Sequence, residues 1–186
     1  LSHRLQLVAE VKLKPGEPVR FYNDSKSTTP ESCLKAIEAL EGMPDFASRR
    51  IHLIAGGYDK GADLTPIAQA AARLGGLYTI GKTGPKLAAA ADRERAVECG
   101  SLEQAFETAT ARMQPGDALL LSPGCASWDQ FVNFEQRGEL FVKLREQGSS
   151  RAATTRRRSS VRASSRPGAS GRLSRSRVIR AGARSR

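Results

Sequence analysis

Between Asn23 and Pro30 the sequence reads NDSKSTTP, which gathers one carboxylate (Asp24), one ammonium (Lys26) and four hydroxyls. A cation and hydroxyl donors at this density suit a carboxylate or phosphate ligand. The same residue types are also ordinary turn and capping chemistry, so the stretch gains meaning only from its position. It follows the alternating segment Val19-Arg20-Phe21-Tyr22, a half-buried strand, and precedes Cys33, Ile37 and Leu40 at helical spacing. Thr29 stands at the N-cap, Pro30 at the first helical position and Glu31 in the first turn. The polar residues therefore lie on a strand-to-helix connection. In open α/β sheets that is the carboxyl-end position where ligands bind, and the free N–H groups of the helix favour an anion there.

A second segment, Gly76-Leu77-Tyr78-Thr79-Ile80-Gly81-Lys82-Thr83, fits the pattern G-x-x-x-x-G-K-T of a phosphate loop. Such a loop needs its spacer free, so that successive N–H groups converge on phosphates. Here Leu77 to Ile80 is apolar and β-prone, and Gly84-Pro85 follow where the helix should be growing. The segment reads as a strand, and no nucleotide cradle is expected from it.

The elements that must position the polar stretch can be read in order. Residues 4–12 and 17–22 form a hairpin around Lys14 to Glu17. The first helix ends near Gly42. Ile51 to Ala55 is a buried strand that meets Gly56-Gly57 at a tight turn. Asp63 caps a helix with the apolar face Leu64, Ile67, Ala68, Ala71 and Leu74. Leu77 to Ile80 is a strand, Lys86 to Ala91 a helix, and Leu102 to Met113 a helix capped by Ser101. Ala118 to Leu121 is the most apolar strand. The loop Ser122 to Ser127 leads to a long helix with Phe131, Phe134, Phe141 and Leu144 near one face. Short apolar strands alternating with helices predict an α/β, Rossmann-like, mostly parallel sheet with helices on both faces over residues 1–147.

Residues 148–186 differ. They hold 12 Arg and no Lys, Asp or Glu, whereas the whole chain carries +11, so residues 1–147 stand at −1. With few large apolar residues this tail is expected to be disordered. It reads as a solvated tail, as an arginine-rich arm for RNA or anionic surfaces, or as coding sequence translated out of its frame. Cys33, Cys99 and Cys125 are widely spaced, which suggests free thiols in a reducing compartment. His3 and His52 form no metal-ligand cluster with them. No apolar run approaches the ~20 residues of a membrane span. Leu1 is not Met, and the chain opens directly on strand-like sequence, as the interior of a longer protein would.

Three stretches in order, NDSKSTTP at 23–30, LIAGGYDKGADL at 53–64 and LSPGCASWDQFVNFEQRGELF at 121–141, resemble the C-terminal domain of the Mur ligases. The DSK form of the first motif is similar to that of the D-glutamate-adding branch, and His3-Arg4 resembles the opening of the domain. The resemblance covers about residues 2–146. It implies a cytoplasmic, ATP- and Mg2+-dependent, monomeric ligase of peptidoglycan precursor synthesis, joining D-glutamate to UDP-N-acetylmuramoyl-L-alanine through an acyl phosphate. It further implies that Lys26, as catalytic residue, and Thr28 contact D-glutamate. Lys60 pairs with one of its carboxylates, and Ser127 and Phe134 hold the other end. Asp24 contacts the ribose of ATP and Arg4 its phosphates. Thr29 stands where the family often has Asn, and Gly124 and Trp128 depart from its usual residues, so Trp128 is expected to reshape the amino-acid pocket.

The same resemblance places the UDP-sugar site, the phosphate loop and the Mg2+ site in N-terminal and central domains outside this sequence, so the chain alone is expected to be inactive. The alternative reading is a stand-alone Rossmann-like binding module whose basic tail docks RNA or another anion.

Overall fold

The computed structural model describes residues 2–12, 17–44 and 50–163, with side chains through 148. A first compact unit covers Leu1–Ser150 and a second Arg151–Arg186. In the first unit six strands form one sheet in the order β1-β2-β6-β3-β4-β5. These are β1 Gln6–Val11, β2 Val19–Asn23, β3 Ile51–Gly56, β4 Gly76–Ile80, β5 Ala96–Gly100 and β6 Ala118–Leu121. Only β1 is antiparallel, hairpinned onto β2, while β2 through β5 run parallel. The helices are α1 Pro30–Glu41, α2 Thr65–Ala71, α3 Gly84–Ala90, α4 Leu102–Arg112 and α5 Phe134–Ala163. The α/β architecture expected from the alternation is the one observed. No helix among the described residues is long and apolar enough to cross a membrane.

The parallel strands are nearly all apolar because helices cover both faces of the sheet. Successive residues on each strand serve opposite cores. Tyr22, Leu53, Ala55, Leu77 and Leu120 pack with Cys33, Ile37 and Leu40 of α1, Ile67 of α2 and Leu87 of α3. Phe21, Ile54, Tyr78, Ile80, Leu119 and Leu121 pack on the other face with Leu102, Phe106 and Ala109 of α4 and Phe141 of α5. Thr29 caps α1, its Oγ1 accepting the Ser32 N–H, and Ser101 caps α4, accepting from Gln104. Asp63 accepts the Thr65 N–H at 2.9 Å, bracing the turn that enters α2.

Three readings shift. β5 has no counterpart in the sequence pattern: it is a half-exposed edge strand carrying Glu98, without a clean period. Phe131 precedes α5 and packs at the rim of the second core. The backbone of α5 continues to Ala163, so the start of the Arg-rich segment is helical where no regular structure is expected. The remainder of that expectation, residues 164–186, and the hairpin turn at 13–16 lie outside the described residues.

Gly76–Ile80 of the phosphate-loop pattern is β4, and α3 starts only at Gly84. Its spacer is paired to β3 and β5 and offers no loop of free N–H groups.

Candidate functional site at the carboxyl ends of β2, β6 and β3

The chain leaves β2 for α1 and β3 for α2 on one face of the sheet, and leaves β6, which lies between them, for α5 on the other face. The connections diverge on both sides of β6, which opens a crevice at the strands' carboxyl ends, the usual ligand position in this architecture. The segments 23–30, 56–64 and 122–134, far apart along the chain, all issue into that crevice.

They are laced together. The Gly56 N–H donates to the Pro123 carbonyl (2.8 Å), the Tyr58 N–H to the Ala126 carbonyl (2.8 Å) and the Gly124 N–H to the Ser27 carbonyl (3.0 Å). Gly57, at φ 146°, approaches so closely that a Cβ would stand 2.4 Å from the Ala126 carbonyl oxygen. The Thr83 hydroxyl accepts the Gly57 N–H at 2.9 Å.

Asp24 is only 5% exposed. Its carboxylate accepts the Leu5 N–H (2.9 Å) and the Ser122 hydroxyl (2.8 Å). Burial pushes its pKa up from the ordinary value, against the Leu5 and Ser122 hydrogen bonds and the Arg4 charge, which pull it down. The segment that brings Arg4 here is bent, with His3 and Leu5 at φ 58° and 38°. Such left-handed residues store about 1–3 kcal/mol each and persist only where surroundings hold them. The Leu5–Asp24 bond, and the Lys26 N–H donating to the His3 carbonyl (3.0 Å), hold this one. Arg4 and Asp24 line one cavity of about 260 Å³, together with Ser32 and Lys35. Two cations beside a carboxylate with lone pairs to spare suit a ligand that carries both anionic groups and hydroxyls.

Thr28 and Lys60 line a second cavity, about 170 Å³, walled by Tyr58, Leu64, Thr83 and Cys125. Burial raises the Cys125 thiol above its ordinary pKa, so it stays protonated at neutral pH. Lys60 is exposed, its Nζ 4.5 Å from the centroid of Trp128. Lys26 is exposed, its Nζ 5.5 Å from the centroid of Phe134. Both lysines thus rest on rings of the one β6–α5 stretch. Phe134 also meets His3 edge-on at 6.0 Å. Ser127 is 2% exposed, and its carbonyl accepts the N–H groups of Gln130 and Phe131. It lies beneath the rim rather than along either cavity wall.

One residue central to this arrangement escapes the motif reading. Arg137 is fully buried. Its Nε donates to the Ser25 hydroxyl (3.0 Å), Nη2 to the Ser25 carbonyl (2.9 Å) and Nη1 to the Cys125 carbonyl (3.1 Å). Ser25 in turn donates to the Phe134 carbonyl at 2.8 Å. Burial drives the guanidinium pKa down to about 10. The signal in the sequence is positional: Arg137 is three residues beyond Phe134 and four before Phe141, a cation on the apolar stripe of a helix. Next to it, Gly138 lets the N-terminal segment close, since a Cβ there would lie 2.2 Å from His3 Nδ1.

The family model described as Mur ligase, glutamate ligase domain, matches residues 3–125. The chain is 40% identical over 149 residues to UDP-N-acetylmuramoylalanine–D-glutamate ligase of Thermoanaerobacter sp. (strain X514), covering 77% of this chain and 30% of the relative. The enzyme of the same name from Idiomarina loihiensis is 43% identical over 141 residues (76% and 28%), and that from Salmonella paratyphi A 41% over 148 (77% and 31%). The chain therefore spans about a third of the length of the relatives it matches.

Proposed function

Because the chain belongs to the Mur ligase family through the glutamate ligase domain, we propose that it is the C-terminal, amino-acid-delivering part of a UDP-N-acetylmuramoylalanine–D-glutamate ligase. In this reading the whole enzyme is a cytoplasmic monomer that uses ATP and Mg2+ to join D-glutamate to UDP-N-acetylmuramoyl-L-alanine through an acyl phosphate, for peptidoglycan precursors. The observation that carries it is the pairing of cavities at the carboxyl ends of the strands: Arg4 with Asp24 in one, Thr28 with Lys60 in the other.

The roles follow from the chemistry of each group. Lys60 takes one carboxylate of D-glutamate as a charge-assisted partner, and the Thr28 hydroxyl shares that cavity. Lys26, above Phe134 on the strand-to-helix turn, takes the second anionic group and neutralises charge at the reacting centre. The Phe134 ring is the platform that orients it, and Ser127 supports the rim at the other end of the amino acid. Arg4 holds phosphate and Asp24 the ribose. ATP supplies the phosphoryl group that activates the acceptor carboxylate. Among the described residues no group of three or more His, Cys, Asp or Glu gathers at a metal site. We place Mg2+, the UDP-sugar and the phosphate loop in the part of the enzyme to which the relatives' extra length corresponds, so the chain by itself is a binding half without turnover. Closure of the domain onto that part would exclude water from the activated carboxylate.

The test is Lys60→Ala in the full-length enzyme carrying this domain. Losing a charge-assisted contact to a carboxylate predicts a KM for D-glutamate raised about hundredfold, with the KM for ATP little changed. An unchanged KM for D-glutamate refutes the assignment.

A further inference from the structure

Tyr58 and Trp128 are set side by side by the backbone. Tyr58 forms an antiparallel bridge with Ala126. Trp128, two residues on, lies on the diagonal of that bridge, within reach of a large ring. The two rings meet at 5.7 Å with a 54° tilt. The chain just beyond is pinned as well: the Asp129 carboxylate accepts the Lys82 N–H (2.8 Å), and the Gln130 side chain donates to the Gly100 carbonyl (2.7 Å). Trp128 thus sits on a held backbone, yet it is 63% exposed. An ammonium caps each ring, Lys82 Nζ at 5.8 Å from the Tyr58 centroid and Lys60 Nζ at 4.5 Å from that of Trp128. The exposed indole serves no core. The ammonium over its face belongs to Lys60, which lines the 170 Å³ cavity.

We propose that Trp128 is the positioning and specificity-determining residue of the amino-acid cavity. Its indole face holds the Lys60 ammonium at the cavity mouth, ready for the distal carboxylate of a small acidic amino acid. The inference rests on the reading above that Lys60 meets a carboxylate of D-glutamate. A lysine stem free in solvent loses rotamer freedom when it captures an anion. A cation held beforehand over an aromatic face, of which indole is the best, has already lost part of that freedom, so the anion binds more tightly. The face occupies one side of the ammonium and leaves N–H donors for the ligand. An amino acid with a neutral distal group draws no benefit from the arrangement.

The experiment compares Trp128→Leu and Trp128→Phe in the full-length enzyme carrying this domain. Trp128→Leu keeps apolar bulk without a π face. It is expected to raise the KM for D-glutamate about two- to fivefold, leaving kcat within about twofold. The inhibition constant of D-glutamine, which offers no distal charge, should not move. Trp128→Phe restores the KM to within about twofold of the parent. An unchanged KM in Trp128→Leu, or a phenylalanine variant as impaired as the leucine one, overturns the proposal. Lys60→Gln, run in parallel, separates the two layers. A raised KM there with none in Trp128→Leu removes this inference alone, whereas no rise in either removes the reading beneath it. Trp128 is the sole tryptophan, so its emission in the 186-residue chain gives a second readout. D-glutamate should change it in the parent and leave it unmoved in Lys60→Gln. Unmoved parent emission, with binding shown by calorimetry, overturns the proposal.

Discussion

Arg137→Met tests whether a buried cation is what locks the site loops together. The side chain is fully buried and donates to the Ser25 hydroxyl, the Ser25 carbonyl and the Cys125 carbonyl. Methionine fills much of the same volume and offers no donor. The Ser25 hydroxyl keeps its bond to Phe134, but the carbonyls of Ser25 and Cys125 lose this donor. At about 1–3 kcal/mol for each buried acceptor left unmatched, the loss is about 2–6 kcal/mol. Against this stands the relief of a desolvated charge. Burial drives the guanidinium pKa down to about 10, which corresponds to about 3 kcal/mol of penalty on the charged form. At the middle of the first range, about 4 kcal/mol, the two opposing effects leave a net destabilisation of about 1 kcal/mol, or roughly 2–4 °C in Tm for a domain of this size. Thermal unfolding of the 186-residue chain by circular dichroism measures it. A Tm that stays level or rises would show that the guanidinium costs as much as it contributes, and that the loops are held by the backbone bonds alone.

Two further outcomes follow from other parts of the molecule. His52 is buried between Tyr78 (3.0 Å) and Asp117 (3.2 Å), and burial lowers its pKa below 6.5 despite the Asp117 charge, which raises it. The unfolded chain therefore binds a proton before the folded one does, so this residue's contribution to stability falls as pH drops below about 6.5, and denaturant melts at pH 7.5 and 5.5 should differ more in the parent than in His52→Gln. Lys82 resembles a phosphate-loop lysine only by spacing, since its spacer is β4; Lys82→Ala in the full-length enzyme should leave the affinity for ATP within about threefold, and a hundredfold loss would show that the strand reading misses a nucleotide site.

How much of this was legible depended on whether the signal was local. Thr29, Pro30 and Glu31 announce α1 within three residues, and the cap bond to Ser32 forms as they imply. Ala118 to Leu121 is a strand because four apolar residues between turns, buried on both faces, admit little else. β5 carries no such signal, because an edge strand needs neither alternation nor a continuous apolar run. The cation on the apolar stripe of α5 was visible in the sequence, but its partners Ser25 and Cys125 were not, since they belong to other loops. The same holds for the rings under Lys26 and Lys60. A lysine and an aromatic residue more than sixty positions apart give no pattern until the strand order is known.

That order is what converts separate motifs into one site. β2 and β6 are neighbours although Asn23 and Leu121 lie about a hundred residues apart, and they pair in register. The register sets Asp24 beside Ser122, and their side chains bond at 2.8 Å. It also lets the Gly124 N–H reach the Ser27 carbonyl and the Ser25 hydroxyl reach Phe134. Each of these bonds ties the lysine-bearing turn to the loop that supplies the aromatic platforms. A one-residue slip between β2 and β6 would turn Leu119 and Leu121 to the wrong core and break every one of those ties together. The packing of the sheet and the geometry of the two cavities are therefore one constraint, which is why polar residues without a core role can be held so closely at the strands' carboxyl ends.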